Sequence, residues 1–272
     1  MFINRTNAGF VKTCCIRFYI KAFSYILLYD FGEKVIYLMK VDVKNMNNIP
    51  ELIVMLTYND QTVDNAYEIF EKCKNSKAKY WGFKENGLSF DKMKKLYTYM
   101  RECGKITVLE VVAYSEKECL KGAETAVKCG CDILMGTLFY DSVNDYCKEH
   151  NLKYMPFIGI VQDRPSILIG SIDDMIKEAN QHLKKGVYGF DLLAYRYVGN
   201  ADELINKILS AINAPVCIAG SINTYQRIKN VKKSRAWAFT IGSAFFNNCF
   251  DDEFGRQIDR VCEYVKDTEC EE

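Results

Sequence analysis

The sequence is poor in the residues that would mark it as a metalloprotein. It has only two histidines, His150 and His182, and none of its 12 cysteines forms a C-x-x-C pair. The closest later pair, Cys129 and Cys131, has a single residue between. This leaves no convincing metal cluster, and no metal or cofactor is expected. A disulfide framework belongs to small secreted chains with little core, which a chain of 272 residues and 49% hydrophobic composition is not. The cysteines are therefore expected to be reduced and mostly buried as small apolar residues, in a cytoplasmic protein.

Charge of one sign is also missing. Basic and acidic residues number 36 and 35, and neither gathers into a long run. A general nucleic-acid surface needs clustered Lys and Arg, so that partner is not expected, although a local anion site is compatible with the balance. No apolar stretch approaches the ~20 uninterrupted residues of a membrane helix. The most apolar one, "FVKTCCIRFYIKAFSYILLYDF", is broken by Lys12, Arg17 and Lys21. With no small-residue cleavage site after it, it also makes a poor signal peptide. Residues 1–48 thus read as an N-terminal extension outside the main domain, or as sequence upstream of the real start, with Met39 and Met46 as alternative starts. A helix lying on a membrane surface is a third reading.

From Glu51 onward the chain alternates. Eight apolar runs have the character of buried parallel strands: "ELIVMLT" (51–57), "KYWGF" (79–83), "ITVLEVVA" (106–113), "DILMGTLF" (132–139), "YMPFIGIV" (154–161), "VYGFDLLAY" (187–195), "APVCIAG" (214–220) and "AWAFTIG" (236–242). Between them lie stripes at helical spacing, such as Phe90, Met93, Leu96, Tyr97 and Met100. Ser115-x-x-Glu118 and Asn200-x-x-Glu203 fit helix N-caps, and Gly104, Gly130 and Gly186 fall where helices should stop. Strand and helix in strict alternation mean a parallel sheet covered by helices. An open dinucleotide-binding sheet would want a glycine-rich turn after the first strand, and "TYNDQTVDN" contains no glycine. The pattern predicts a (β/α)8 TIM barrel over 49–272, preceded by the extension.

In such a barrel chemistry gathers at the C-terminal strand ends. Lys84, in phase with Tyr80 and Gly82, points into the barrel mouth or is a solvated lysine at a loop start. Desolvation there would lower its pKa and suit it to acid/base work. Glu110 interrupts the apolar third strand, where an unpaired charge is costly, so it faces the interior with a partner, for which Lys84 is the candidate. Asp191 interrupts the sixth strand in the same way, as an acid/base group or a structural ion pair, and sits deeper. Glu85, on the opposite phase, reads as structural. Arg196 at the rim has the forked donors to hold a carboxylate or phosphate. Thr57, Asn59 and Thr137 are candidates to orient a sugar hydroxyl. The stretch "VQDRPSILIGS" (161–171), with Arg164 and Pro165, reads as a loop over the mouth, mobile or static.

Two late turns carry a resemblance. "APVCIAGSI" followed by "AWAFTIGSAFF" resembles the end of phosphate-binding TIM barrels of the ribulose-phosphate-binding type. These include sugar-phosphate epimerases, isomerases of histidine and tryptophan synthesis, and keto-sugar-phosphate decarboxylases. The resemblance implies that Gly220 and Ser221 in the first turn, and Gly242 and Ser243 in the second, hold a substrate phosphate through backbone N–H groups. N-acylmannosamine-phosphate epimerases of the group are similar in using an inward lysine with a carboxylate. The Asp-x-Lys-x-x-Asp motif of the keto-gulonate-phosphate decarboxylases is absent from "LEVVAYSE", and the sixth strand lacks the lysine typical of related Schiff-base aldolases. The expected function is isomerisation or epimerisation of a small phosphorylated sugar or related metabolite, with Lys84 and Glu110 or Asp191 transferring the proton. A sugar-phosphate lyase or aldolase, or a non-enzymatic phosphometabolite sensor on the same barrel, stays open, as does a homo-oligomer.

Overall fold

The computed structural model describes residues 3–6, 9–20, 23–30, 35–41 and 49–267. They divide into two units, one up to Asn48 and one from Ile49. In the first unit the strands Ile3–Thr6, Gly9–Ile20, Phe23–Asp30 and Val35–Val41 pair antiparallel in sequence order. The membrane-surface helix considered for this stretch is replaced by strands, consistent with its many β-branched and aromatic residues.

The second unit is a (β/α)8 barrel. Its strands are β1 (Glu51–Met55), β2 (Tyr80–Lys84), β3 (Ile106–Val111), β4 (Ile133–Gly136), β5 (Lys153–Met155), β6 (Phe190–Leu192), β7 (Val216–Ile218) and β8 (Ala238–Ile241). Parallel pairing runs β5-β4-β3-β2-β1-β8-β7-β6. A parallel bridge from Phe157 to Asp191, with the Asp191 N–H donating to the Pro156 carbonyl at 3.0 Å, closes the ring between β5 and β6.

The helices are α1 (Ala66–Cys73), α2 (Phe90–Glu102), α3 (Glu116–Cys129), α4 (Asp141–Glu149), α5 (Ile172–Lys184), α6 (Ala201–Ala211), α7 (Tyr225–Ser234), α8 (Ser243–Phe246) and α9 (Phe254–Lys266). The expected N-caps form: the Ser115 hydroxyl accepts from the Glu118 N–H, and the Asn200 side chain from the Glu203 N–H at 3.0 Å. Gly130 ends α3 in the left-handed conformation, where a Cβ would be disfavoured.

Period-two alternation along the strands sorts side chains into two cores. Ile53, Met55, Val108, Ile133, Met135, Met155, Cys217 and Ala238 fill the barrel interior. Their outward neighbours pack under the helices, as where Phe83 stacks on Tyr97 at 4.2 Å and Phe70 meets Trp81 edge-on at 5.1 Å. Within residues 49–267, seven of the nine cysteines are buried. No helix among the described residues is long and apolar enough to cross a membrane.

The strands end earlier than the apolar runs. The run 132–139 is strand only over Ile133–Gly136, and 187–195 only over Phe190–Leu192. The end of 154–161 belongs to a separate hairpin, in which Ile160–Gln162 pairs antiparallel with Ile167–Ile169. The expected irregular loop at 161–171 is therefore largely this hairpin. A second hairpin, Thr57–Tyr58 with Gln61–Thr62, follows β1.

Candidate active site

The C-terminal end of the barrel holds a cavity of about 630 Å³. Parity places Lys84 and Glu110 at its base. They are in register across β2 and β3, and both face the interior, 7% and 9% exposed. The Lys84 Nζ lies 3.5 Å from Glu110 Oε1 and donates a short hydrogen bond to Asp60 Oδ1. Sequence reasoning missed Asp60. Its signal was the Asn-Asp pair of "TYNDQT", a two-residue hairpin turn with both central residues at positive φ, 48° for Asn59 and 66° for Asp60.

Burial pulls the Lys84 ammonium toward its neutral form, but Glu110 and then Asp60 outweigh it, and the net shift is upward. The lowered pKa expected from desolvation alone is corrected: two carboxylates beside the ammonium keep it charged. Lys84 is built to stabilise negative charge or to donate a proton, rather than to act as a neutral base.

Asp191 is 1% exposed and does not line the cavity. Neither of its carboxyl oxygens has a hydrogen-bond partner of normal geometry. Burial, reinforced by Glu110, pushes its pKa well above the usual carboxylate range against the weaker pull of Lys84, which favours the protonated form. The Cys217 thiol, in register with Asp191, is pushed up by burial and then by Asp191 and Glu110.

Both Gly-Ser turns line the same cavity: Gly220 to Asn223 after β7, and Gly242 to Ala244 after β8. A side chain at either glycine would crowd its neighbours. At Gly220, with φ of 85°, a Cβ would lie 2.9 Å from Arg196 Cγ; at Gly242 it would lie 2.9 Å from the Thr57 carbonyl oxygen. Arg196 ends a single 3-10 turn after β6, lines the cavity beside the Gly220 turn and donates to the Ser166 carbonyl at 3.4 Å. Thr57 also lines the cavity, and its Oγ1 is buried without a partner. Asn59 lines it too, whereas Thr137 does not: its hydroxyl is 2.7 Å from the Tyr154 hydroxyl within the core.

The hairpin at Ile160–Ile169 spans the mouth. Arg164 pairs with Glu85 at 3.2 Å and approaches Asp60 at 3.8 Å, and the Tyr114 hydroxyl donates to the Asp163 carbonyl at 2.8 Å. Glu85 also accepts from the Val112 N–H at 3.3 Å, which fits its structural reading.

Fold and cavity together define a (β/α)8 barrel with its polar groups gathered at the C-terminal mouth. No protein-family model matches the sequence, and no curated protein matches it. Solved structures do match. The orotidine 5'-phosphate decarboxylase of Pyrococcus horikoshii OT3 aligns with a TM-score of 0.62 at 13% identity, covering 80% of this chain and 100% of that one. The N-acetylmannosamine-6-phosphate 2-epimerase of Clostridium perfringens aligns at 0.53 and 13%, covering 71% and 86%. The glycerol uptake operon antiterminator regulatory protein of Listeria monocytogenes aligns at 0.50 and 18%, covering 71% and 91%. At such identities the likeness is one of fold.

Proposed function

We propose that the protein isomerises or epimerises a small phosphorylated sugar or related metabolite by proton transfer next to a carbonyl. The observation that carries this reading is that the Lys84–Glu110 pair and both Gly-Ser turns open onto one cavity. Gly220, Ser221, Gly242 and Ser243 offer main-chain groups to the phosphate, and Arg196 supplies a cation beside the first turn. This seats the carbon chain toward the β2 and β3 ends. There the Lys84 ammonium holds the oxygen that becomes negative as the adjacent carbon loses its proton, and Glu110 moves that proton. Asp191 lies behind the cavity lining and bears on the site only through its electrostatic coupling to Glu110. Thr57 offers its unused hydroxyl to a substrate hydroxyl.

Opposed acid and base groups around one carbonyl suit proton transfer better than passive ligand sensing, which needs only the phosphate site. Thermal melting with phosphorylated sugars and their dephosphorylated analogues, followed by NMR in deuterated water, tests the reading. Stabilisation by the phosphorylated members alone, with deuterium entering the recovered sugar, is expected. Binding without any exchange would replace this reading with the sensor.

A further inference from the structure

Lys84 has more carboxylate around it than its own neutralisation requires. Glu110 reaches it from β3, on one side of its strand, and Asp60 from the hairpin after β1, on the other. The hairpin that carries Asp60 is fixed onto β2. The Thr62 hydroxyl donates to the Lys84 carbonyl at 2.8 Å and accepts from the Lys84 N–H at 3.0 Å, while the Thr62 N–H donates to the Asn86 carbonyl at 3.0 Å.

Glycine would fit the tip best, although aspartate and asparagine enter the left-handed region more readily than other side chains. Asn59 and Asp60 are consecutive non-glycine residues in the left-handed region. A turn selected for shape alone would place glycine at the second of them. What points to a role for this residue is where its side chain goes. Here the side chain lines the cavity, is 16% exposed, and has its second oxygen 3.8 Å from Arg164.

We propose that Asp60 is a second catalytic carboxylate, so that the Lys84 ammonium stands between two proton-transfer groups serving opposite faces of one substrate carbon. The proposal rests on the proton-transfer reading above and narrows it to two-base epimerisation. In one direction the Asp60 carboxylate takes the proton from the carbon next to the carbonyl. The C–H electron pair moves into the C–C bond, and the carbonyl π pair moves onto oxygen, where Lys84 holds the enolate. Glu110, carrying a proton, delivers it to the other face as the carbonyl re-forms. The substrate loses one proton and gains one, Asp60 ends protonated and Glu110 ionised, and exchange with water resets both. In the reverse direction the roles swap.

The full-length protein is tested in deuterated water with two epimer pairs, ribulose and xylulose 5-phosphate, and N-acetylmannosamine and N-acetylglucosamine 6-phosphate. Asp60→Asn is compared with wild type, and Asp60→Gly, which suits the left-handed turn, is the second variant. For the pair that wild type interconverts, each variant should lose interconversion by at least about 10²-fold. Each should lose solvent exchange from one epimer and keep it from the other, with Glu110→Gln showing the mirror pattern. Exchange by wild type that both Asp60 variants retain from both epimers overturns the Asp60 assignment alone. Loss from both epimers also overturns it, making Asp60 an organiser of Lys84, as does failure of both variants to fold. Absence of exchange in wild type with every probe overturns the assignment together with the proton-transfer reading beneath it.

Discussion

Lys84 and Glu110 are register partners on neighbouring barrel strands, with 3.5 Å between ammonium and carboxylate at the base of the cavity. Their pairing sets separate expectations for activity and stability. Glu110→Gln keeps the Lys84–Asp60 contact and most of the volume, so folding and ligand binding should persist while turnover falls by about 10²–10⁴-fold. Lys84→Met strands two carboxylates without their cation, which should cost about 3–5 kcal/mol in urea unfolding as well as turnover. Wild-type turnover in Glu110→Gln would remove the carboxylate from the chemistry.

Asp191 gives a pH dependence whose sign is determined. Its folded pKa is raised, so below about pH 4 both folded and unfolded chains hold the proton and the group is neutral toward folding. Above that the unfolded chain ionises alone, and stability falls by up to about 1.4 kcal/mol per pH unit until the folded pKa is reached. Asp191→Asn should therefore unfold at higher urea than wild type at neutral pH, with the gap narrowing toward pH 4. Parallel curves for the two proteins across that range would contradict a protonated Asp191.

At the phosphate turns, Ser243→Asp is the informative substitution. Gly220→Asp would add charge but also a Cβ pressed against Arg196 in a left-handed backbone, so a loss there has two causes. A carboxylate about 4 Å from the phosphate, at an effective dielectric of about 20, opposes it by about 4 kcal/mol. Calorimetry should show a phosphorylated ligand weakened at least tenfold, with its dephosphorylated analogue little changed. Equal weakening of both ligands would mean that the paired turns hold no phosphate.

Thr57 carries a buried hydroxyl without a protein partner, an arrangement that lowers the stability of the free protein. Thr57→Val removes the orphaned group at nearly constant volume and should leave the melting temperature unchanged or higher. Ligand affinity should fall by about 0.5–1.5 kcal/mol, one net hydrogen bond. A destabilised variant that binds normally would place the hydroxyl in the fold instead of the site.

What the sequence determined by itself was whatever depends on local periodicity. Eight apolar runs separated by helical stripes specify the parallel barrel, because each period selects the face that a strand or helix must bury. The same parity turns Lys84 and Glu110 inward, since a one-residue shift would move every side chain of the strand to the other face. Capping at Ser115 and Asn200 was legible for the same reason: partner and cap lie three residues apart. Tertiary structure decided what depends on segments meeting. Asp60 and Lys84 are 24 residues apart and become partners only because Thr62 fastens the hairpin to β2. That meeting adds to the larger effect of Glu110 in reversing the pKa shift that burial alone would give Lys84. Thr137 was drawn into the core by Tyr154, and Asp191 settled behind the cavity instead of on its wall. Periodicity tells a side chain which face to take and which strand neighbour it meets; the charges that loops add, such as Asp60, are set only when the barrel closes.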